Sequence, residues 1–151
     1  MSGKIYLVGI GPGSPDDITP RALNRLSNVP VIIGHKVSLD FIAEFIAGKE
    51  LITEDLTPVE RAEVAVAHAL AGRDVAIITT GDPGIYAIAS TFFSYLRKKG
   101  IKVSVEVVPG LATVNVAAAL LGSPLGGDFA VISLADMATP WENIKRRLEA
   151  A

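Results

Sequence analysis

Asp82 closes a strongly apolar run, Ala76-Ile77-Ile78-Thr79-Thr80-Gly81, and sits inside the turn Gly81-Asp82-Pro83-Gly84. A carboxylate placed directly after a buried strand is costly unless something satisfies it. Loop N–H groups could do so, or a ligand, or Asp82 could cap the helix that follows. A second glycine elbow ends another apolar run, Ile5-Tyr6-Leu7-Val8-Gly9-Ile10-Gly11-Pro12-Gly13. Both elbows read as tight turns at the carboxyl ends of buried parallel strands, where open α/β sheets leave a crevice for small molecules.

Other chemistries are poorly supplied. The chain has no cysteine, which removes disulfides, thiolate metal sites and thiol nucleophiles. Its two imidazoles, His35 and His68, are too few for a histidine-rich metal site and read as surface or helix-packing residues. No metal is expected, and no catalytic acid or base can be named. A Gly-x-Gly after a first strand invites a nicotinamide-dinucleotide reading, but the details oppose it. Pro12 and Pro15 remove N–H groups and delay the helix until about Thr19, and the second strand ends in Gly34-His35-Lys36 with no carboxylate for a ribose.

With 151 residues, 50% of them hydrophobic and 20% charged, the chain is long enough for one well-filled core and too short for a second full domain. A net charge of -2 gives no footprint for nucleic acid or an anionic membrane. The runs Arg97-Lys98-Lys99 and Lys145-Arg146-Arg147 fall at expected helix ends, where cations complement the dipole. Leu111 to Leu121 is too short to span a bilayer and is expected to be a buried helix. Met1-Ser2-Gly3-Lys4 leads straight into a strand without a signal-peptide pattern, so a cytoplasmic protein is expected.

The elements that must position these turns alternate along the chain. Strands are expected at 4–9, 29–33, 50–53, 74–79 and 103–108, and helices at about 20–27, 38–47, 58–71, 87–99 and 111–121. That alternation points to an α/β fold, an open parallel sheet with flanking helices. Thr19-Pro20 and Thr57-Pro58 each pair a polar N-cap with the residue suited to the first helical position, and Glu60 completes a capping box with Thr57. Val59, Ala62, Val66 and Ala69 form one stripe, and Ile88, Phe92, Tyr95 and Leu96 another. Gly48, Gly72, Gly100 and Gly122 stand where four helices should stop. Residues 123–128 read as a linker after a domain at 1–122. At 129–151 a strand, Phe129 to Leu134, and a helix opened by a capping box at Thr139-Pro140-Trp141-Glu142 read as the start of an incomplete second domain, with Trp141, Ile144 and Leu148 on one face.

A third elbow, Val107-Val108-Pro109-Gly110-Leu111-Ala112-Thr113, follows the fifth expected strand. Taken with Val8-Gly9-Ile10-Gly11-Pro12-Gly13 and Gly81-Asp82-Pro83-Gly84-Ile85-Tyr86, it resembles the tetrapyrrole methylase family over essentially the whole chain. The resemblance implies a two-domain α/β enzyme, usually a homodimer, that binds S-adenosylmethionine in a cleft between its domains. Residue by residue, it assigns cofactor contacts to Pro12, Thr80, Gly81, Asp82, Ile85, Tyr86, Ala112 and Thr113, and the side facing the tetrapyrrole to Gly11, Pro12 and Gly13. The segment from Gly122 to Asp136, with Thr139-Pro140-Trp141-Glu142, resembles the branch that methylates carbon 17 of a precorrin-3 or cobalt-precorrin-3 macrocycle with ring contraction, in cobalamin biosynthesis. Branches acting on other corrin carbons, and a non-catalytic amino-terminal piece, are the alternatives. Two departures stand out: Ala112 replaces a hydroxyl residue common in the family, leaving the hydroxyl on Thr113, and His35 replaces a tyrosine.

Overall fold

Five apolar runs become the strands β1 (Lys4–Gly9), β2 (Val31–Ile33), β3 (Glu50–Ile52), β4 (Val75–Thr79) and β5 (Ser104–Val108). In this computed structural model, which describes residues 2–53, 55–135 and 139–151, they pair in parallel in the order β3-β2-β4-β1-β5. β2 is buried throughout and β4 from Val75 to Ile78, as expected of parallel strands covered on both faces.

Among the described residues, six α-helices connect or follow the strands: α1 (Pro20–Asn28), α2 (Lys36–Phe41), α3 (Pro58–Leu70), α4 (Ile88–Lys99), α5 (Thr113–Leu120) and α6 (Trp141–Glu149). One face of the sheet, through Val8, Ile32, Ala76 and Ile78, packs on Ala22 and Leu26 of α1 and Leu39 of α2. The other, through Ile5, Leu7, Ile33 and Ile77, packs on Ala62, Ala65, Val66 and Ala69 of α3 and Phe92 of α4. The caps form as the sequence requires. Thr19 Oγ1 accepts from the Ala22 N–H at 3.1 Å, and Thr57 and Glu60 make the reciprocal box, the Thr57 N–H donating to Glu60 Oε2 at 2.7 Å. Gly48, Gly72, Gly100 and Gly122 all adopt positive φ at helix or turn ends. Among the described residues no helix is long and apolar enough to cross a membrane.

Several expectations are corrected. The helix expected at 38–47 is α2 followed by a separate 3₁₀ turn, Ala43–Phe45, because the chain leaves helical geometry at Ile42, where φ is -110° and ψ 17°; Leu39, Ile42 and Ile46 are all buried. Val59 is 44% exposed: the buried stripe of α3 begins one turn later. No capping box opens α6, since Pro140 itself occupies the N-cap and leaves Thr139 outside the helix. On α6 only Ile144 is buried, while Trp141 and Leu148 are exposed. Residues 129–135 form no strand and do not join the five-stranded sheet. The helix expected to be buried over 111–121 is the shorter α5, none of whose side chains is buried; Leu120 and Leu121 stand open to solvent. Contacts divide the chain into two compact units, Met1–Thr113, which holds the whole sheet, and Val114–Ala151.

Candidate functional site

The carboxyl ends of β1, β4 and β5 lie side by side, and their three elbows touch backbone to backbone. A methyl group on Gly9 would stand 2.5 Å from the Gly81 carbonyl oxygen and 2.7 Å from the Gly110 nitrogen; one on Gly110 would stand 2.2 Å from the same oxygen. Such separations lie far inside contact distance, so only glycine permits this approach. The Ile10 N–H donates to the Thr79 carbonyl at 3.0 Å and the Gly81 N–H to the Gly11 carbonyl at 2.8 Å, which fastens the first elbow to the second.

Asp82 fastens the second to the third. Its Oδ1 accepts from the Gly84 N–H at 2.7 Å and its Oδ2 from the Gly110 N–H at 3.1 Å. Of the roles left open for this carboxylate, satisfaction by loop N–H groups is the one the structure shows. Capping is excluded: the N-cap of α4 is Ala87, with no side-chain bond.

Around this junction the expected cofactor residues form a partly open rim. Thr80, Ile85, Tyr86 and Thr113 are exposed, Asp82 is half-buried, and Gly81 and Ala112 are buried. Thr113 Oγ1 lies 3.4 Å from where a Gly81 Cβ would be, so the hydroxyl on Thr113 faces the second elbow. Tyr86 adopts φ +48°, a conformation that side chains other than glycine rarely accept and that clusters at functional sites. On the first elbow Gly11 is buried, Pro12 half-buried and Gly13 exposed.

A second feature adjoins the first. The connection after β2 runs to β3 over one face of the sheet, and the connection after β4 runs to β5 over the other. Their divergence opens a crevice of about 480 Å³ lined by His35, Ser38, Arg61, Ile78, Thr79 and Thr80. Arg61, Ile78 and Thr79 also line a neighbouring cleft of about 260 Å³ that Tyr86 borders. This is the topological switch point of the sheet. His35 is thus exposed at the crevice, beyond the surface role expected for it. The expected site omitted Gly9 and Gly110 as residues of close approach, and Arg61 altogether. Arg61 could have been found: it continues the buried row of Ala65 and Ala69 at helical spacing, so a cation stands on the stripe that faces the sheet.

The strongest carboxylate cluster has a structural task. Glu106 of β5 takes Lys4 at 2.6 Å, Arg21 at 2.9 Å and Arg25 at 3.1 Å, tying α1 to the sheet edge. Hydrogen bonds from Lys4 and then Arg21 lower its pKa to about 2.

Residues 4–151 match the profile of the tetrapyrrole (corrin/porphyrin) methylases. A probable cobalt-factor III C(17)-methyltransferase of Methanothermobacter thermautotrophicus is 44% identical over 149 residues, covering 97% of this chain and 41% of that protein. Among solved structures, the methyltransferase CobJ matches with a TM-score of 0.88 at 33% identity, over 99% of this chain and 64% of that one. A uroporphyrin-III C-methyl transferase from Thermus thermophilus, complexed with S-adenosyl homocysteine, matches with a TM-score of 0.63 at 29% identity, over 77% of this chain and 48% of that one. The chain therefore spans well under the full length of these relatives. The match across the sheet and all three elbows places it in the tetrapyrrole methylase family.

Proposed function

We propose that this chain is the amino-terminal part of an S-adenosylmethionine-dependent C-methyltransferase acting on carbon 17 of a precorrin-3 or cobalt-precorrin-3 macrocycle, with ring contraction, in cobalamin biosynthesis. The observation that carries the reading is the convergence of Gly9, Gly81 and Gly110, which packs three adjacent strand-end turns backbone against backbone and so sets the expected cofactor residues of all three elbows around one junction. The 44% identity to a probable cobalt-factor III C(17)-methyltransferase supports the choice of ring carbon.

The residues present fit the cofactor. Methyl-free glycine backbone and the exposed rim of Thr80, Ile85, Tyr86 and Thr113 offer a shallow cradle, with Pro12, Gly81, Asp82 and Ala112 completing it. Bound S-adenosylmethionine supplies an electrophilic methyl group on a sulfonium, whose displacement needs neither a metal nor a protein nucleophile. The chain's share of the work is to orient donor and acceptor in line and to keep water out. Asp82 accepts the Gly84 and Gly110 N–H groups and so holds the second elbow to the third. Gly11, Pro12 and Gly13 face the macrocycle. The enzyme is read as a cytoplasmic homodimer.

A chimera tests this directly. Replacing the aligned segment of the Methanothermobacter relative with this chain should preserve methyl transfer from labelled S-adenosylmethionine to cobalt-factor III. A folded chimera that binds S-adenosylhomocysteine yet leaves cobalt-factor III unlabelled would refute the substrate, and one that binds no S-adenosylhomocysteine would refute the reading altogether.

A further inference from the structure

Arg61 is a cation set at the floor of a crevice. It enters α3 one turn after the Thr57 capping box, and its row on the helix, continued by Ala65 and Ala69, faces the sheet. Its Nε is buried and has no hydrogen-bond partner among the described residues. An unpartnered buried donor on a charged group is expensive, and an acceptor arriving from outside would relieve that cost. Among the described residues, neither space that reaches Arg61, the 480 Å³ crevice or the 260 Å³ cleft, has an aspartate or glutamate in its lining. Hydroxyls stand there instead: Ser38, Thr79 and Thr80 in the first, Thr79, Tyr86 and Thr91 in the second. A guanidinium with hydroxyls around it and no carboxylate beside it among the described residues suits a planar anion, which it takes through two parallel N–H donors.

The geometry points to the β2/β4 crevice as a carboxylate subsite, in which Arg61 clamps an acetate or propionate arm of the macrocycle while the glycine junction beside it holds the methyl donor; this assignment rests on the macrocycle reading above. The chemistry suits the position. Precorrin-type rings carry such arms around their periphery, so anchoring one arm at the switch point fixes which ring carbon reaches the elbows of β1, β4 and β5. Arg61 is thus a positioning residue that selects the ring's orientation and takes no part in bond making. The methyl donor also carries a carboxylate, and the test separates the two sources.

The probes are uroporphyrin III, whose peripheral arms are free carboxylates, its fully esterified form, and S-adenosylhomocysteine, each titrated into the chain, Arg61→Gln and Arg61→Lys. Circular dichroism checks that each variant is folded. Arg61→Gln should weaken uroporphyrin about tenfold, the effect of one charge-assisted pair, and Arg61→Lys should recover part of that loss. The ester and S-adenosylhomocysteine should bind all three proteins alike. Unchanged uroporphyrin affinity in folded Arg61→Gln overturns the subsite, as does an equal loss for the ester, which would report packing. Weakening of S-adenosylhomocysteine alone also overturns it, because Arg61 would then serve the donor's carboxylate. If Arg61→Gln fails to fold, Arg61→Lys decides: equal loss for uroporphyrin and ester rejects the subsite, and loss for uroporphyrin alone sustains it. Failure of the unsubstituted chain to take up uroporphyrin at all would instead overturn the macrocycle reading itself.

Discussion

Gly9 and Gly110 show how little room a site of this kind leaves for a side chain. Gly110→Ala would drive its new methyl group to 2.2 Å from the Gly81 carbonyl, and backbone on both sides offers no flexible end to yield. Overpacking of this severity should cost about 3 kcal/mol, read as a lower urea midpoint with an unchanged slope. Gly126→Ala, where nothing stands within 4 Å, is the control and should change stability by less than about 0.5 kcal/mol. Equal stability in the two variants would mean that the elbows do not touch. Glu106 gives a second residue-scale expectation. Its pKa in the folded chain is about 2, below the ordinary 4.5, so the stabilisation is complete above the unfolded value and drains away as pH falls from 4.5 towards 2. Glu106→Gln should therefore lower stability at neutral pH and flatten the acid limb of the stability profile over that interval. An acid limb as steep as before would show that Lys4, Arg21 and Arg25 do not hold this carboxylate.

Elements whose ends are set by local chemistry were the legible ones. Thr57 and Glu60 lie three residues apart in the chain and meet by helical geometry alone, so the start of α3 could be read directly; Thr57→Ala should cost about 1 kcal/mol in equilibrium unfolding. No loss on that substitution would show that the box does not hold the helix start. Gly72, Gly100 and Gly122, all at positive φ, mark helix ends for the same reason. Elements that depend on a partner were not legible. Phe129 to Leu134 is an apolar run that forms no strand, and Leu111 to Leu121 has the composition of a buried helix, yet none of the side chains of α5 is buried. At the amino end of α6 the pattern of types suggested a box, and the backbone placed Pro140 where Thr139 would have had to be.

At the scale of the whole molecule, three elbows separated by dozens of residues become one site because the strands β4, β1 and β5 are neighbours. Their glycine and Asp82 motifs were visible in the chain, whereas the strand order that brings β2 beside β4 was not. The switch-point crevice that Arg61 lines depends on that order, since local pattern carries no information about which parallel strands pair, although the place of Arg61 on the sheet-facing row of α3 was legible from its spacing. The central claim, that the elbow junction is a seat for the methyl donor, can be tested on this chain alone. A ¹⁵N-labelled sample titrated with S-adenosylhomocysteine should show amide shifts confined to residues 9–13, 80–86 and 110–113. The affinity should be weak, roughly hundreds of micromolar or poorer, because part of a cleft supplies only part of the contacts that must offset association. NAD should leave those amides unmoved. If S-adenosylhomocysteine shifts none of them, or if NAD shifts them and displaces it, the junction is not a methyl-donor site.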